Sequence, residues 1–154
     1  MKLLKTLLVF ASVLPAVACA GNLFKNSDMN GSGGWKGDRK YETVDGNRAI
    51  SLGAEKKKTV SFSQDVKSKG ITDLVLKFRY KTSDYKGRGL ELRGKRDDGS
   101  WTFRNSDLKA DGQWHNYTWN FNQVRGSETI LFSVELLEGE GRVFFDDITV
   151  EPKG

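Results

Sequence analysis

Two adjacent aspartates stand inside the last strand-forming run of the chain, where carboxylates are least expected. In the run Arg142–Val150, apolar and polar residues alternate, so Phe144 and Ile148 are predicted to share one strand face with Asp146. A carboxylate on an apolar face costs free energy unless a cation or backbone N–H groups satisfy it. Asp146 and Asp147 therefore indicate a specific site, structural or functional, near the end of the domain.

Hard oxygen ligands also cluster near the other end of the chain. The segment 26–31 begins like a calcium-binding loop, because Asp28 and Asn30 follow Asn26 at alternate positions and a glycine comes next. The twelfth position of such a loop needs a bidentate acid but is Gly37, which excludes a helix–loop–helix calcium site. Two hypotheses stay open. One is a cation held by oxygens from both chain ends; the other is a metal-free tie between the aspartate pair and N-terminal backbone amides.

A stripe of charged side chains offers a second kind of chemistry. Two runs that look adjacent place the following residues on their outward faces: Lys77, Arg79, Lys81, Glu91, Arg93 and Lys95. Guanidinium and ammonium groups bind anionic ligands, and planar groups add directional hydrogen bonds. Arg79, Glu91 and Arg93 are therefore candidate ligand-binding residues. The alternative is an ordinary solvated sheet face that is protected from pairing with other strands.

Aromatic residues in predicted loops offer stacking surfaces for a ligand. Tyr85 lies in the polar, glycine-rich segment 84–89, and Trp101 follows a tight Asp-Gly turn. Binding surfaces are commonly built from loops, so both residues are candidates for ligand contact. Trp114 and Trp119 belong to or border a regular strand pattern and are expected in the core.

Catalytic groups are scarce. His115 is the only histidine, and the chain has no Gly-x-Ser-x-Gly motif, so nucleophilic catalysis by a triad has little support. A glycosidase needs only two carboxylates, and Glu91 and Glu135 are the obvious mid-strand acids on an outward face. We expect a non-catalytic protein, with a glycoside hydrolase as the less favoured alternative.

The elements that must position these residues are strands. Period-two alternation predicts about eight short strands separated by glycine-containing turns. The apolar positions fall in the runs 49–52, 60–66, 74–80, 90–96, 101–104, 117–121, 130–136 and 142–150. Short strands with turns about every ten residues predict an all-β fold, a two-sheet antiparallel β-sandwich.

The first twenty residues predict export. Lys2 and Lys5 precede a short apolar stretch, and Ala18-Cys19-Ala20 forms a small-residue cleavage site, so 1–20 is predicted to be a signal peptide. The single domain is then 21–154, in a secreted, periplasmic or cell-surface protein. Lipid attachment at Cys19 is the competing hypothesis for the same segment.

Charge and cysteine content narrow the partners. The net charge of +5 falls to about +3 once the two signal lysines are removed, which is too weak and too dispersed for nucleic-acid binding. The apolar stretch is too short for a membrane span. Cys19 is the only cysteine, so the mature chain is expected to depend on a core or a metal rather than on disulfides. The sequence leaves the oligomeric state open.

The order of motifs along the chain resembles one family of binding domains. The residues that carry the resemblance are Asn22–Asn30 followed by Trp35, Asp45–Leu52, Val60–Val66, Gly112-Gln113-Trp114 and Phe145-Asp146-Asp147-Ile148. This pattern resembles the jelly-roll carbohydrate-binding modules with a galactose-binding-like fold, of the type attached to bacterial cellulases and xylanases. It spans nearly all of 21–154.

The resemblance implies a fold, a ligand class and a metal. It implies two packed antiparallel sheets and a structural calcium ion (Ca²⁺), with Asp146 or Asp147 as carboxylate ligand and Asp28 or Asn30 opposite. It also implies binding of an oligosaccharide or polysaccharide on a sheet face or in end loops, and the basic stripe would suit an anionic polysaccharide. The alternative is a structural or protein-interaction sandwich that binds no sugar, since fold alone does not decide function.

Overall fold

The described part of the chain consists of antiparallel β-strands and connecting turns. The computed structural model describes residues 21–31, 33–122 and 126–153, so the predicted signal peptide and Cys19 lie outside the described residues. The strands are β1 (Lys36–Gly37), β2 (Lys40–Val44), β3 (Asn47–Gly53), β4 (Val60–Lys67), β5 (Leu74–Gly87), β6 (Leu90–Arg96), β7 (Trp101–Ser106), β8 (His115–Phe121), β9 (Thr129–Leu136) and β10 (Gly139–Pro152).

These strands form two five-stranded sheets that pack face to face. The front sheet has the order β1-β4-β9-β6-β7, and the back sheet has the order β2-β3-β10-β5-β8. The pairing between named strands is antiparallel throughout. The predicted two-sheet antiparallel β-sandwich is therefore confirmed. The short strands β1 and β2 were missed, because segment 36–44 has charged residues where alternation would need apolar ones.

Aromatic rings join the two sheets across the core. Phe62 of the front sheet packs edge-on against Phe145 of the back sheet, with ring centroids 5.2 Å apart. Phe145 in turn lies 5.8 Å from Phe78, and Phe121 lies 5.4 Å from Phe132 in the opposite sheet. Each of these pairs adds to the free energy of apolar burial. The described residues contain no cysteine, so this core stabilises the domain without disulfides.

The N-terminal segment closes one side of the sandwich by bonding to β10. The Leu23 amide donates to the Val150 carbonyl at 2.8 Å, and the Ile148 amide donates to the Ser27 carbonyl at 3.1 Å. Met29 is fully buried at the end of this segment. The two chain ends are thus tied together, but by main-chain groups and the Asn22 side chain, which accepts from the Val150 amide at 2.9 Å, rather than by the aspartate pair.

A β-bulge in β10 changes which side chains face the core. The register of β10 against β5 shifts after Asp146, and Asp147 has a φ of 50°. Because a bulge inserts one extra residue, Phe145 points inward before the shift and Ile148 after it. Phe144 and Asp146 lie on the outer face of the back sheet. The prediction that they share a face with Ile148 is wrong, since it assumed a regular strand.

The chain crosses from one sheet to the other between β5 and β6. The two strands look adjacent in sequence, but β5 pairs in the back sheet and β6 in the front sheet. Gly89 permits the crossing, because its φ is 89° and a Cβ there would lie 2.3 Å from the Ser106 carbonyl oxygen. Arg79 and Arg93 therefore lie on opposite outer faces, and the predicted common stripe is wrong.

Gly94 is predicted to be essential for packing. It lies on the inner side of β6, where an added Cβ would approach Phe121 Cε2 to 2.6 Å. We expect Gly94→Ala to lower the free energy of unfolding by about 1–3 kcal/mol, because the ring must move in a closely packed core. Denaturant unfolding measures this. Gly53→Ala is the control, since nothing lies within 4 Å of its Cβ position, and a change above about 0.5 kcal/mol there would contradict the argument.

Candidate functional site

The outer face of the front sheet brings together aromatic and charged side chains. The ladder between β6 and β7 sets Arg93 opposite Phe103 and Lys95 opposite Trp101. Alternate residues of a strand point to the same side, so these four share the solvent face. With Glu91, the residues Arg93, Trp101 and Phe103 line a cleft of about 290 Å³, which we call the β6–β7 cleft.

Two exposed rings form one wall of the cleft. Trp101 is 46% exposed and Phe103 is 65% exposed, and among the described residues they are the exposed large hydrophobic side chains. Other large apolar residues of the chain are mostly buried, so an adjacent exposed pair indicates a contact surface. Trp101 is thus exposed as expected. Phe103 was missed, although its position two residues after Trp101 in a polar run was a usable signal.

Cations border the Trp101 ring. The Arg93 guanidinium lies 5.7 Å from the ring centroid, and the Lys95 ammonium lies 5.2 Å from it. Contacts of this type hold an aromatic ring in place without burying it. The ring therefore remains largely accessible while its orientation is restricted.

Glu91 and Arg93 form the floor of the cleft, and Glu135 lies beside them on the neighbouring strand. Glu135 on β9 lies directly opposite Glu91 on β6. Arg93 Nε contacts a Glu91 carboxylate oxygen and lies 3.4 Å from Glu135 Oε1. The glutamate side chains are only 15% and 17% exposed, against 39% for the arginine. We call these three residues the Glu–Arg–Glu cluster.

The surroundings of Glu135 within the Glu–Arg–Glu cluster shift its pKa. Burial raises the pKa of Glu135; the Arg93 charge opposes this shift and the Glu91 charge adds to it. The sequence identified Glu135 only as one of two candidate acids for catalysis. Its neighbourhood with Glu91 and Arg93 could not be deduced there, because strand pairing is not visible in a period-two pattern.

Open sheet surface continues beyond the cluster. In register with Arg93, the next two strands present Ser133 on β9 and Ser63 on β4. Small hydroxyl-bearing side chains leave room above the sheet between the cluster and the far edge. The face therefore offers aromatic rings at one edge, a charged planar group next to them, and hydroxyls farther along.

Tyr85 is buried and does not offer its ring to a ligand. It lies within β5 rather than in a loop and is 5% exposed. Its Oη accepts a hydrogen bond from the Gly89 amide at 2.8 Å, and burial raises the pKa of the phenol. The expectation of an exposed loop tyrosine is wrong. Strand β5 continues past Lys81 although the alternation of apolar residues ends there.

Arg79 is engaged on the back sheet, away from the cleft. Its guanidinium contacts the Asp146 carboxylate, and its Nε lies 3.0 Å from Asp147 Oδ2. The Trp114 ring covers the guanidinium at 4.7 Å, and Trp114 Nε1 donates to Asp45 at 2.9 Å. Trp114 is therefore a cover over an ion pair on the outer face and not the core residue that was expected.

The predicted metal ligands do not form a set that fits calcium. Asp146 is 3% exposed, and its carboxylate accepts hydrogen bonds from Arg79 and from the Asp147 amide. Asp28 accepts a hydrogen bond from the Asn30 side chain at 3.0 Å in the N-terminal segment. The described ranges contain no group of three or more His, Cys, Asp or Glu residues that could hold a metal. A guanidinium stands where a cation would have to bind, and calcium remains an untested prediction.

Comparisons with known proteins place the fold. The chain matches no protein-family model, and no curated protein matches it significantly. Solved structures match well. TmCBM61, solved with β-1,4-galactotriose, superposes with a TM-score of 0.66 at 19% identity over 86% of this chain and 99% of its own. A family 16 carbohydrate-binding module gives 0.62 at 17% identity, covering 84% and 99%.

A third carbohydrate-binding module, CBM4, superposes with a TM-score of 0.55 at 22% identity, covering 84% of both chains. The chain thus has the jelly-roll fold of carbohydrate-binding modules, as the motif order predicted. At these identities the likeness establishes the fold alone.

Among the described residues, no helix has the length and apolar character needed to cross a membrane.

Removing Arg79 should destabilise the protein. We expect Arg79→Ala to lower the free energy of unfolding by about 3 kcal/mol, because Asp146 would be left as an unpaired buried charge. Lys77→Ala is the control, since Lys77 pairs with Glu151 in solvent and its loss should cost less than about 1 kcal/mol.

We expect calcium or a chelator to leave the wild-type melting temperature unchanged. A chelator-induced drop that calcium restores would show a metal site instead.

Glu135 should make stability depend on pH in a defined direction. Its pKa is raised in the folded state, so its contribution to stability is present at low pH and is lost as the pH rises through the folded pKa. We expect Glu135→Gln to equal the wild type in stability near pH 4, close to the ordinary pKa of a glutamate, and to exceed it near pH 7, well above that pKa. Urea unfolding at both pH values measures the difference. A constant difference would contradict the raised pKa.

Proposed function

We propose that this protein is an exported, non-catalytic carbohydrate-binding protein and that sugar binds in the β6–β7 cleft. The observation that carries the proposal is the pair of exposed rings, Trp101 and Phe103, beside the Glu–Arg–Glu cluster. The fold supports it, since the similar structures described above are carbohydrate-binding modules.

The two kinds of side chain match the two kinds of surface on a sugar. The C–H faces of a pyranose are apolar and stack on aromatic rings such as Trp101 and Phe103. Its hydroxyls need planar donors and acceptors, which Glu91, Arg93 and Glu135 supply from positions fixed by the sheet. A site that combines stacking with a few convergent polar groups is typical of small-molecule and glycan recognition.

The shape of the face favours a chain that lies across the strands. The aromatic edge on β7 leads over Arg93 to the serines of β9 and β4. A polysaccharide running in this direction would meet rings first, the Glu–Arg–Glu cluster next, and serine hydroxyls last. The sheet face, rather than the end loops, is therefore the proposed site.

Catalysis by the two glutamates is not favoured. A glycosidase needs one carboxyl free to donate a proton and another free to attack or to activate water. Here one arginine contacts Glu91 and lies within 4 Å of Glu135. The arrangement suits hydrogen bonding to a bound sugar, and we expect no release of reducing sugar from any glycan that binds.

Export and anchoring are part of the proposal. The signal-like segment 1–20 would direct the chain to the periplasm, the cell surface or the medium, with lipid attachment at Cys19 as the alternative. A polysaccharide-binding protein is useful where such polymers occur.

Substitution of the rings should abolish retention by polysaccharide. Native gels cast with neutral galactan, glucan or mannan should retard the mature wild-type protein in at least one case. We expect Trp101→Ala and Phe103→Ala each to weaken binding about tenfold or more, as loss of a stacking contact predicts. Trp114→Phe, on the other sheet, is the control and should bind as the wild type does.

Two results would contradict the proposal. Retention that survives loss of both rings would place the sugar elsewhere. Absence of retention in every gel would instead favour the interaction module, in which the exposed rings contact another protein.

A further inference from the structure

The charge at the proposed site differs from the charge of the molecule. The chain as a whole carries +5 and is basic. A basic protein attracts polyanions from a distance, and that attraction by itself would favour an anionic glycan. At the β6–β7 cleft, however, the Arg93 guanidinium contacts Glu91, which lines the cleft, and lies 3.4 Å from Glu135 Oε1, just beside it. The Glu–Arg–Glu cluster therefore carries a formal charge of −1 when all three groups are ionised.

Lys95 and the Lys36–Asp65 ion pair are further charges on this face. Lys95 is next to Trp101, two positions along β6 from Arg93. On β4, Asp65 is paired with Lys36 at 2.9 Å. The outward residues of β7 carry no charge, being Trp101, Phe103 and Asn105. Along β6 the sheet face thus has a cationic end at Lys95 and an acidic end where Glu91 and Glu135 face each other.

Arg93 is the cation at the acidic end, and it is already paired. Arg93 contacts Glu91 and lies 3.4 Å from Glu135 Oε1, so its guanidinium already has carboxylate partners. Both glutamates are largely shielded from water, which weakens screening of their charge. A carboxylated sugar placed here would compete with them for Arg93 and would be repelled by them.

We propose, on the basis of the sugar-binding function above, that Glu91 and Glu135 make the cleft selective for neutral glycans and exclude anionic ones. The two glutamates accept hydrogen bonds from uncharged hydroxyls and reject carboxylates by like-charge repulsion. Specificity of this type depends on a repulsive element as much as on an attractive one. The anionic polysaccharide that the basic stripe suggested is then the ligand class that the site rejects.

A matched pair of ligands tests the proposal. The neutral polysaccharide retained most strongly in the gels is compared with the same polymer after oxidation of its primary hydroxyls to carboxylates. At about 0.15 M salt, where distant surface charges are screened, we expect the wild type to bind the oxidised polymer at least about tenfold more weakly.

Isosteric variants isolate the two glutamates. Glu91→Gln with Glu135→Gln keeps the shape of the cleft and frees Arg93, so affinity for the oxidised polymer should rise at least about tenfold. The control is Glu42→Gln with Glu151→Gln, which changes net charge equally on the outer face of the back sheet and should leave the discrimination intact. Glu135→Gln alone, the milder change, should give an intermediate effect if the double variant folds poorly.

The outcomes separate this inference from the proposed function. Equal binding of both polymers by the wild type, or unchanged exclusion in the double variant, overturns the inference alone. The same gain in the back-sheet control also overturns it, because net charge would then explain the result. Failure of the wild type to bind any neutral polysaccharide overturns the proposed function and this inference with it.

Discussion

The ion pair between Arg79 and Asp146 is the interaction on which the rest of the structure depends. Strand β10 is central in the back sheet, bonds to the N-terminal segment and contributes Phe145 to the core. The bulge that turns Ile148 inward leaves Asp146 on the outer face, almost completely covered. A buried carboxylate needs a partner, and Arg79 on the neighbouring strand supplies it beneath Trp114. The bulge, the arginine and the tryptophan cover therefore form one unit.

The two outer faces of the sandwich also use their charged and aromatic side chains differently. Three cations of β5 are used in pairing, Arg79 with the aspartates, Lys77 with Glu151 and Lys81 with Asp45. Its one half-exposed tryptophan is stacked on a guanidinium. On the front sheet, by contrast, the aromatic rings remain largely exposed and the arginine lies in an open cleft. The side chains proposed to contact a ligand therefore lie on the front sheet, and the ion pair that closes the fold lies on the back sheet.

The sequence predicted the fold well because alternation is a local property. Strands β3 to β10 each contain a run in which apolar residues recur at every second position, and such runs specify a sandwich. Pairing is not local, so the sequence could not show that β5 and β6 belong to different sheets. For this reason Arg79 and Arg93 were predicted to share one face, and the pairing of Glu91 with Glu135 was not recognised. The bulge at Asp147 was hidden for the same reason, since a regular period assumes that no residue is inserted.

The sequence predicted the types of residue that form the candidate site better than it predicted which residues come together there. Trp101, Arg93 and Glu91 were identified because exposed aromatic and planar charged groups are what a ligand needs. Tyr85 failed because strand β5 extends beyond its apolar pattern. Phe103 was missed and Glu135 was named only as a candidate catalytic acid, and the ladders of β6 were needed to place both beside Arg93. A binding face is assembled by cross-strand neighbours, and those neighbours are the information that a single sequence withholds.

Exposed rings on an edge strand create a conflict between binding and solubility. Strand β7 is the last strand of the front sheet, so its outer edge is unpaired and its rings could draw another chain into the sheet. The same strand places Arg104 opposite Leu92, on the side that faces the core, where it remains exposed at the margin of the sandwich. A charge on the inward side of an edge strand opposes pairing with another sheet. Strand β7 can therefore present Trp101 and Phe103 to a ligand while its own edge resists association, which allows a binding surface to be built at the least protected position of the sheet.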